Sequence, residues 1–498
     1  MRQLSARDAA YLYLDDGHTS ATVLSCWVLS TADGSPSTIE PNDIVERLTD
    51  LVNADALFAS RLRRLPLDIG LPYWQYDPTF RVAEHLDIHR NATTWTEAQD
   101  LLAHIAGDPL DLTRPLWKAH IITDVRHMPD CPGVATIVAI MFHHAAFDGV
   151  TWARLTRAIL ADHSHLVEEP ANPARSESSF PTTPRLVALE ILRLPRNVFR
   201  FAAALIGLVG KPQHTSSSGQ DPNPTETTGA PASWPATRFN SAVRGARRVD
   251  YCILNLTDVK MIKTIADGAT VNDVMISIVG RALHLYLEKC GEPPQRSLSA
   301  LVPMSTRTGD GGTANQFVPL VVDMHSAEAD VATRLAAIVG SSTAAKSSIR
   351  SASQKPGLVQ AVPAPLLRLI GSVSRAMSAR TSSPTTAFAN TVIANVHTKT
   401  PIETMFGRTI CAAFGIQTLG PPSTLAHSIS SIDGHLAISV TVDGAVMPDT
   451  AEYVRLIRIS FDEHLIGARR TVSAPHDPEH HLSRAVHGEH QIAGPEDA

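Results

Sequence analysis

Cysteine is scarce in this sequence, and no two cysteines form a motif. The 498 residues include five, widely scattered and without a CxxC spacing: Cys26, Cys131, Cys252, Cys290 and Cys411. Disulfide frameworks and cysteine-ligated zinc sites need closely spaced cysteines. The sequence therefore predicts neither, and it favours a reducing, cytoplasmic environment.

Long hydrophobic runs are also missing. The longest lie at residues 134–142 and 201–210, well short of the ~20 residues that a membrane-spanning helix needs. The N-terminus, Met-Arg-Gln-Leu-Ser-Ala-Arg-Asp, lacks the apolar core of a secretory signal. We therefore expect a cytoplasmic protein whose only contact with a membrane would be peripheral.

An excess of positive charge is the third absence. The 43 Lys and Arg residues are outnumbered by 49 Asp and Glu, which gives a net charge of −6. Domains that bind nucleic acid concentrate positive charge to neutralise phosphates, and no basic run occurs here. The composition argues against nucleic acid as a partner.

The length predicts two or three domains, because one hydrophobic core typically serves ~150 residues. Strand-like stretches alternate with helical patterns in both halves, which is typical of an α/β or α+β fold with two lobes of similar size. We predict strands at residues 21–29, 117–123, 134–142, 249–256, 299–302, 318–324, 391–394, 410–416 and 436–442. Helices are predicted from Ser5, from Val150, and at 44–52, 95–106, 255–266, 271–287, 331–345 and 450–465.

We divide the chain into an N-terminal lobe (1–165), an intermediate segment (166–238), a C-terminal lobe (239–467) and a tail (468–498). In the intermediate segment, Pro195 should kink or split an apolar, arginine-bearing stretch. That stretch either packs across the lobes or lies on anionic lipid. Residues 211–237 are rich in Pro, Ser, Thr and Gly and should be disordered. The tail carries five histidines but no flanking pattern, so we predict disorder there and no metal site.

The informative motif is His143-His144-x-x-x-Asp148-Gly149, where an apolar strand ends and a helix begins. Strands hold side chains rigidly while loops leave them accessible, so catalytic groups often occupy such junctions. Neighbouring strand residues point to opposite faces, so we expect one histidine to face the core and the other a substrate channel. Asp148 can orient an imidazole or pair with an arginine, and Gly149 allows a tight turn.

Acyl transfer from a thioester to an alcohol would use these residues directly. A histidine with a pKa near neutrality can take the hydroxyl proton as the oxygen attacks the carbonyl. No covalent intermediate is needed, and the sequence has no GxSxG elbow. The structural alternative, which the spacing alone favours, is a pair of core histidines with a helix-capping aspartate.

The motif resembles the signature of coenzyme A-dependent acyltransferases of the chloramphenicol acetyltransferase-like superfamily. Further blocks, in order from residue 4 to about 467, resemble the bacterial wax ester synthase/diacylglycerol acyltransferase family. They are Leu4-Ser5-Ala6-Arg7-Asp8-Ala9-Ala10, Arg114-Pro115-Leu116-Trp117, Phe239-Asn240 with Arg247-Arg248, Ala269-Thr270-Val271-Asn272-Asp273-Val274, Val302-Pro303-Met304-Ser305-Thr306-Arg307 with Asn315, and Asp433-Gly434 to Asp449.

This resemblance implies two chloramphenicol acetyltransferase-like lobes, each a mixed sheet with flanking helices, and a channel between them. It implies acyl-CoA as co-substrate and diacylglycerol or a long-chain alcohol as acceptor, at a membrane or lipid-droplet surface, with His144 as general base and Asp148 as a structural aspartate. No cofactor and no metal are expected. The alternatives are a same-fold enzyme that acylates a polyketide or sugar hydroxyl, and a lipid-binding protein without turnover.

Four other residues of these blocks have two interpretations each. Pro115 and Trp117 either pack a loop against a strand or contact substrate. Asn272, beside Asp273, either caps a helix or holds the thioester oxygen as it becomes anionic. Arg307 is either a solvated charge or the partner of Asp148 across the lobes.

One loop departs from the family pattern. Members commonly carry Asn-Val-Pro-Gly-Pro, whereas this sequence reads Asn395-Val396-His397-Thr398-Lys399-Thr400-Pro401. The Pro-Gly turn is lost and a histidine and a lysine are gained. A loop on the acceptor side with this change would alter the choice of acceptor.

Overall fold

The computed structural model describes residues 2–15, 21–30, 39–146, 180–209, 234–305, 317–352, 361–378, 386–396, 404–420 and 423–473. Its strands are β1 Arg2–Gln3, β2 Thr22–Ser30, β3 Ser60–Arg63, β4 Tyr73–Tyr76, β5 Leu86–His89, β6 Trp117–Arg126, β7 Val134–His143, β8 Trp234–Pro235, β9 Arg247–Asn255, β10 Ser299–Ser305, β11 Phe317–Asp323, β12 Thr386–Ala387, β13 Thr391–Val396, β14 Thr404–Met405, β15 Arg408–Ile416, β16 Leu425–Ile432 and β17 His435–Asp443.

The α-helices are α1 Ala6–Leu14, α2 Pro41–Ala54, α3 Trp95–Gly107, α4 Thr183–Val209, α5 Leu256–Lys263, α6 Val271–Lys289, α7 Val331–Ala352, α8 Ala364–Ser378 and α9 Thr450–Ser473. Short 3-10 turns lie at Ala56–Ala59, Pro66–Asp68, Val82–His85 and Arg238–Asn240. Among the described helices, none combines the length and the apolar character needed to cross a bilayer.

Two six-stranded mixed sheets form the centres of the two lobes. The first has the order β14-β15-β2-β7-β6-β5, and the second has the order β11-β10-β13-β16-β17-β9. Parallel pairs, such as β5 with β6 and β13 with β16, occur beside antiparallel ones in both sheets. The expected mixed α/β architecture with two lobes is therefore confirmed.

Strand β7, which ends at the histidine pair, is covered on both faces. Val138, Ile140 and Phe142 pack into a cluster with residues of α1 and α2, whereas the alternate side chains pack with α3. A strand that is apolar at consecutive positions needs cover on both sides. The α3-side cluster also contains Val249 and Ala437 of the second sheet, so this core joins the two lobes.

Local capping signals define the starts of two helices. The Ser5 side chain accepts a hydrogen bond from the Asp8 amide at 3.1 Å and caps α1. Thr94 and Glu97 form a reciprocal capping box at the start of α3. Both caps satisfy amide groups that have no partner within the helix, and both helices begin where the sequence predicted them.

Pro195 does not split the arginine-bearing stretch, because α4 runs unbroken from Thr183 to Val209. Of the two expected outcomes, a kink or a split, the split is therefore excluded. A proline removes the hydrogen bond to the carbonyl one turn earlier, at Ile191. Pro195 and Ile191 both lie on the exposed side of the helix, where water can bind that carbonyl.

The linker predicted at residues 211–237 is too long at its C-terminal end. Trp234–Pro235 forms β8 and pairs with Thr386–Ala387 in β12. Asn390 fixes this region, since its side chain donates to the Pro235 carbonyl at 2.7 Å and accepts from the Ser299 amide at 2.9 Å. Residues 210–233 and the tail from 474 lie outside the described residues.

Strand β15 belongs to the first sheet, although its sequence lies in the segment that we assigned to the C-terminal lobe. It pairs antiparallel with β2 over Thr409 to Ile416. The assignment of all of residues 239–467 to one lobe is therefore wrong for this strand. Pairing of such distant strands depends on the tertiary fold and leaves no local sequence signal.

Candidate active site

The histidine pair lies at the end of β7, where neighbouring strands fix its backbone. The His143 amide donates to the Leu116 carbonyl at 3.0 Å, and the His144 amide donates to the Ala21 carbonyl at 2.8 Å. The backbone is thus held from both sides of the strand. The two side chains then have environments as different as the strand alternation predicts.

His143 is the buried member of the pair, with 1% of its surface exposed. Its Nδ1 accepts a hydrogen bond from the Ala145 amide at 3.0 Å. Nδ1 therefore carries no proton, and in the neutral ring the proton lies on Nε2. Nε2 lies 3.6 Å from Oδ2 of Asp15, so the carboxylate favours this tautomer.

His144 is only half-buried, and its ring stacks on an aromatic side chain. The ring centroids of His144 and Tyr11 are 4.6 Å apart with an interplanar angle of 9°. Tyr11 lies on α1, whose position is fixed by the Ser5 cap. This stack sets the plane of the imidazole that remains accessible.

Asp15 connects the histidine pair to a cavity. It follows α1 directly, and its Oδ2 also accepts from the Ala21 amide at 3.3 Å. The cavity has a volume of about 610 Å³ and is lined by Leu12, Tyr13, Asp15, Arg64, Leu65, Asp68, Pro109, Leu110, Leu112 and Arg368. Its wall combines leucines with two arginines, Arg64 and Arg368, both of which pair with Asp68.

Arg247 places a buried positive charge between the two sheets. It belongs to β9, and it donates to the Ala106 carbonyl at the end of α3. Burial lowers the pKa of the guanidinium, whereas the Asp15 carboxylate raises it. Its Nη2 has no hydrogen-bond partner among the described residues. The side chain therefore contributes fixed positive charge near Asp15.

Pro115 and Trp117 are both buried. The Trp117 indole donates to the Phe58 carbonyl at 2.8 Å and packs edge-on against the Phe58 ring. The backbone of Pro115 forms an isolated antiparallel β-bridge with that of Arg61. Trp117 is 0% exposed, which matches the packing interpretation rather than the substrate-contact one.

One of the two interpretations of Asn272 made it the cap of its helix, and this interpretation is wrong. Thr270 caps α6, and Asp273 completes a capping box by accepting from the Thr270 amide at 2.9 Å. Threonine takes this position because its hydroxyl reaches the amide three residues on. The Oδ1 atom of Asn272 is buried without a hydrogen-bond partner among the described residues.

Several predicted site residues lie outside the described residues. They are Asp148, Gly149 and Arg307, together with the departing loop from His397 to Pro401 and the helix predicted from Val150. Their predicted roles stay predictions.

Sequence reasoning missed Tyr11 and Asp15 as site residues, and it cited Arg247 only as part of a family block. Tyr11 and Asp15 follow the opening block Leu4–Ala10 by a few residues, but nothing in their spacing indicates that α1 returns to the end of β7. Arg247 lies just before the strand predicted from residue 249, where an arginine is ordinarily exposed, so no sequence signal indicated its burial.

Comparisons with known proteins show which family the chain resembles. Residues 4–275 match the family model of the wax ester synthase/diacylglycerol acyltransferase catalytic domain, and residues 313–464 match that of its C-terminal domain. A Mycobacterium tuberculosis protein whose name carries a provisional diacylglycerol O-acyltransferase assignment is 27% identical over 483 residues, which is 94% of this chain and 98% of that protein.

Solved structures show the same fold at low sequence identity. The wax ester synthase/diacylglycerol acyltransferase from Marinobacter aquaeolei VT8 superposes with a TM-score of 0.60 at 18% identity, over 94% of this chain and 100% of that one. The first condensation domain of the CDA synthetase superposes with a TM-score of 0.53 at 18% identity, over 94% of this chain and 96% of that one.

Proposed function

The chain belongs to the wax ester synthase/diacylglycerol acyltransferase family of acyl-CoA-dependent acyltransferases, and we propose that it transfers a long-chain acyl group from acyl-CoA to diacylglycerol, forming triacylglycerol. Long-chain alcohols, which would give wax esters, are the second acceptor class. The observation that carries the proposal is the accessible His144 ring, stacked on Tyr11 at the end of a rigid strand beside the fully buried His143.

In this proposal His144 is the general base. Its Nδ1 is shielded from solvent, so Nε2 takes the proton of the acceptor hydroxyl. The hydroxyl oxygen attacks the thioester carbonyl and forms a tetrahedral intermediate. Collapse of the intermediate forms the ester bond, breaks the C–S bond and releases coenzyme A as a thiolate. The thiolate then takes the proton from the His144 imidazolium, so no group on the protein is acylated.

Fixed groups around the site would stabilise the charge that develops on the thioester oxygen. Asn272 is the proposed hydrogen-bond donor, because Thr270 and Asp273 form the helix cap and Asn272 is not needed for it. Arg247 adds a buried positive charge. Asp148 would hold its loop by pairing with Arg307, and an Arg307→Ala variant with unchanged rate and stability would contradict that pairing.

Peripheral contact with a lipid surface is the second part of the proposal, and α4 supplies the surface. Its large exposed side chains recur at i, i+1, i+7, i+8 and i+14 and therefore lie on one side of the helix: Ile191, Leu192, Val198, Phe199 and Leu205. Leu192 is 79% exposed and Phe199 is 74% exposed. We call these five residues the apolar stripe.

The opposite side of α4 anchors the helix to the protein. Glu190 is buried and accepts hydrogen bonds from the Tyr73 hydroxyl at 2.5 Å and from Arg193 at 3.0 Å. Along one edge of the apolar stripe lies a row of exposed arginines: Arg185, Arg193, Arg196 and Arg200. A helix with an apolar side bordered by cations is typical of an element that lies in the interface of an anionic membrane.

The catalytic part of the proposal is tested by product analysis of the wild type and His144→Ala. Each is given radiolabelled acyl-CoA with diacylglycerol or a long-chain alcohol, and thin-layer chromatography separates the lipid products. We expect triacylglycerol from the wild type and a rate lower by ~10²–10⁴-fold in the variant, because a general base is lost. Release of free thiol, measured with and without acceptor, shows whether cleavage of the thioester depends on the acceptor.

His104→Ala is the matched control, since His104 is an exposed histidine on α3. It should retain the wild-type rate. Wild-type activity in a folded His144→Ala variant would contradict the role of His144. Thiol release without a lipid product would contradict diacylglycerol and alcohols as the acceptors.

A further inference from the structure

A group of metal-ligand side chains lies at the edge of the first sheet, apart from the histidine pair of β7. Asp87 and His89 are two residues apart on the edge strand β5, so they share one face of the sheet. Asp87 is the register partner of His120 on the parallel strand β6. The sheet thus brings one carboxylate and two imidazoles together.

The distances among these groups suit one small cation. Nε2 of His89 lies 3.2 Å from Nδ1 of His120, and Nδ1 of His120 lies 3.7 Å from Oδ2 of Asp87. All three ligand atoms lie within 4.8 Å of one another. In a tetrahedral zinc site with bonds of ~2.0–2.1 Å, ligand atoms are about 3.3 Å apart. Small rotations of the side chains would complete such a site.

The chemical states of the three groups are those that a metal needs. Burial lowers the pKa of His120 to about 4 and also lowers the pKa of His89. Burial alone would raise the pKa of Asp87, but the hydrogen bond and the charge of Lys118, with smaller contributions from the two neighbouring histidines, together outweigh it, and the net pKa is lowered. Neutral imidazoles and an ionised carboxylate are the ligand forms that bind zinc.

His120 is held in place by packing. It is 5% exposed, and its Nε2 has no hydrogen-bond partner among the described residues. The ring nitrogen that faces the other two groups is Nδ1. Its present partner is the second imidazole, His89, which is a weaker one than a divalent ion.

We propose that Asp87, His89 and His120 bind one Zn²⁺ ion, with water as a fourth ligand, and that the ion ties the edge strand β5 to β6. The site contrasts with the sequence expectation of no metal. The only cation now beside the carboxylate, among the described residues, is Lys118, whose Nζ lies 2.6 Å from Oδ2 of Asp87. Lys118 therefore competes with zinc for Asp87.

Zinc titration of the full chain tests the site, with a purification tag that contains no histidine. Calorimetry and metal analysis after dialysis should show one more bound zinc per chain in the wild type than in His120→Ala or His89→Ala. The tail histidines add the same background to every variant. His104→Ala is the matched control, because His104 is an exposed histidine 3.6 Å from an aspartate, Asp108. It should bind as much zinc as the wild type.

Lys118→Met supplies a test of opposite sign. Removing the competing ammonium group should lower the zinc dissociation constant by roughly tenfold. Mutations of residues that contact a metal ligand typically change metal affinity on this scale. Thermal unfolding with zinc and with chelator shows whether each variant is folded, and zinc should raise the Tm of the wild type but not that of His89→Ala. Equal zinc content in His89→Ala, a folded His120→Ala and His104→Ala would overturn the proposal, as would unchanged affinity in Lys118→Met.

Discussion

Asp15 shows how one residue can link a cavity to the histidine pair of the proposed mechanism. It lines the cavity and lies 3.6 Å from the buried His143, whereas the proposed base is the next residue. Its carboxylate fixes the proton of His143 on Nε2, and the ring of His143 then supports the turn that carries His144. In the proposed mechanism Asp15 is thus a positioning residue.

We predict that Asp15→Asn lowers kcat by about tenfold with little change in KM. The amide cannot stabilise the proton on His143 Nε2 as a carboxylate does, and small misplacement of a base lowers the rate of the chemical step. Steady-state kinetics at saturating acyl-CoA measure the effect. Asp43→Asn, an exposed site at the start of α2, is the control. A wild-type kcat in Asp15→Asn would remove Asp15 from the mechanism.

Buried histidines outside the site make stability depend on pH. His427 lies between Thr391, whose hydroxyl is 3.0 Å from Nδ1, and Tyr453, whose hydroxyl is 2.8 Å from Nε2. Burial lowers the pKa of His427 to about 3. Below ~6.5 the unfolded chain binds a proton at this residue while the folded chain does not. The free energy of unfolding therefore falls as the pH falls from ~6.5 towards ~3, by ~1.4 kcal/mol per pH unit.

We predict that His427→Asn reduces this dependence by that amount. Denaturant unfolding between pH ~7 and ~5 gives the slope for each protein. Asparagine keeps a hydrogen-bonding group and does not titrate. His104→Asn, at an exposed histidine, should leave the slope unchanged. An identical slope in His427→Asn and the wild type would show that His427 is not neutral in the folded state.

At the scale of elements, the sequence predicted best those that begin with a local signal. The starts of α1 and α3 follow from the side-chain caps of Ser5 and Thr94, because a cap is a contact within one turn. Strand β16 was missed, since its sequence Leu-Ala-His-Ser-Ile-Ser-Ser-Ile has no apolar run. Ser428 and His427 are buried and contact neighbouring strands: the Ser428 carbonyl accepts a hydrogen bond from the Ser439 hydroxyl of β17, and Nδ1 of His427 lies 3.0 Å from the Thr391 hydroxyl of β13. The local sequence does not reveal these contacts.

Helix α4 carries the prediction about lipid contact. We expect the double variant Leu192→Glu/Phe199→Glu to bind vesicles at least tenfold more weakly. Burial of each of these two apolar side chains in the interface would stabilise binding by ~1.5–3 kcal/mol. Flotation with vesicles of phosphatidylcholine and phosphatidylglycerol measures the bound fraction. Ile466→Glu, at a half-exposed site on α9, is the control.

The arginine row of α4 separates the electrostatic contribution from the apolar one. Arg196→Gln with Arg200→Gln should weaken binding only to vesicles that contain phosphatidylglycerol, by ~1 kcal/mol for each arginine. Unchanged flotation of the Leu192 and Phe199 variant would show that the apolar stripe does not contact lipid.

At the scale of the whole molecule, the two family domains match consecutive parts of the sequence. The first sheet, in contrast, combines strands from both parts of the chain. The resemblance that extends from residue 4 to about 467 predicted the two lobes, because its blocks lie in the family's order along the chain. It did not predict that β15 would complete the first sheet beside β2. Strand pairing over such a separation depends on which edges remain open in the folded lobes, and no single segment encodes that.

We predict that the chain stays associated when it is cut between the lobes. A protease site inserted in residues 211–233 would separate β7 from β15 in sequence, but β15 would remain hydrogen-bonded to β2. The core that contains Val249 and Ala437 would also hold the parts together. Size-exclusion chromatography should show one peak at the mass of the intact chain, and denaturing electrophoresis should show two fragments. Two separate peaks without denaturant would contradict this arrangement.

The late position of β15 in the chain also affects synthesis on the ribosome. Until residues 408–416 have emerged, β2 presents an unpaired edge in a nascent sheet that is apolar on both faces. Such an edge can pair with other unfinished chains. The strand that ends at the histidine pair thus acquires its final surroundings only near the end of translation, and chaperones that shield open sheet edges should determine how much active protein a cell obtains.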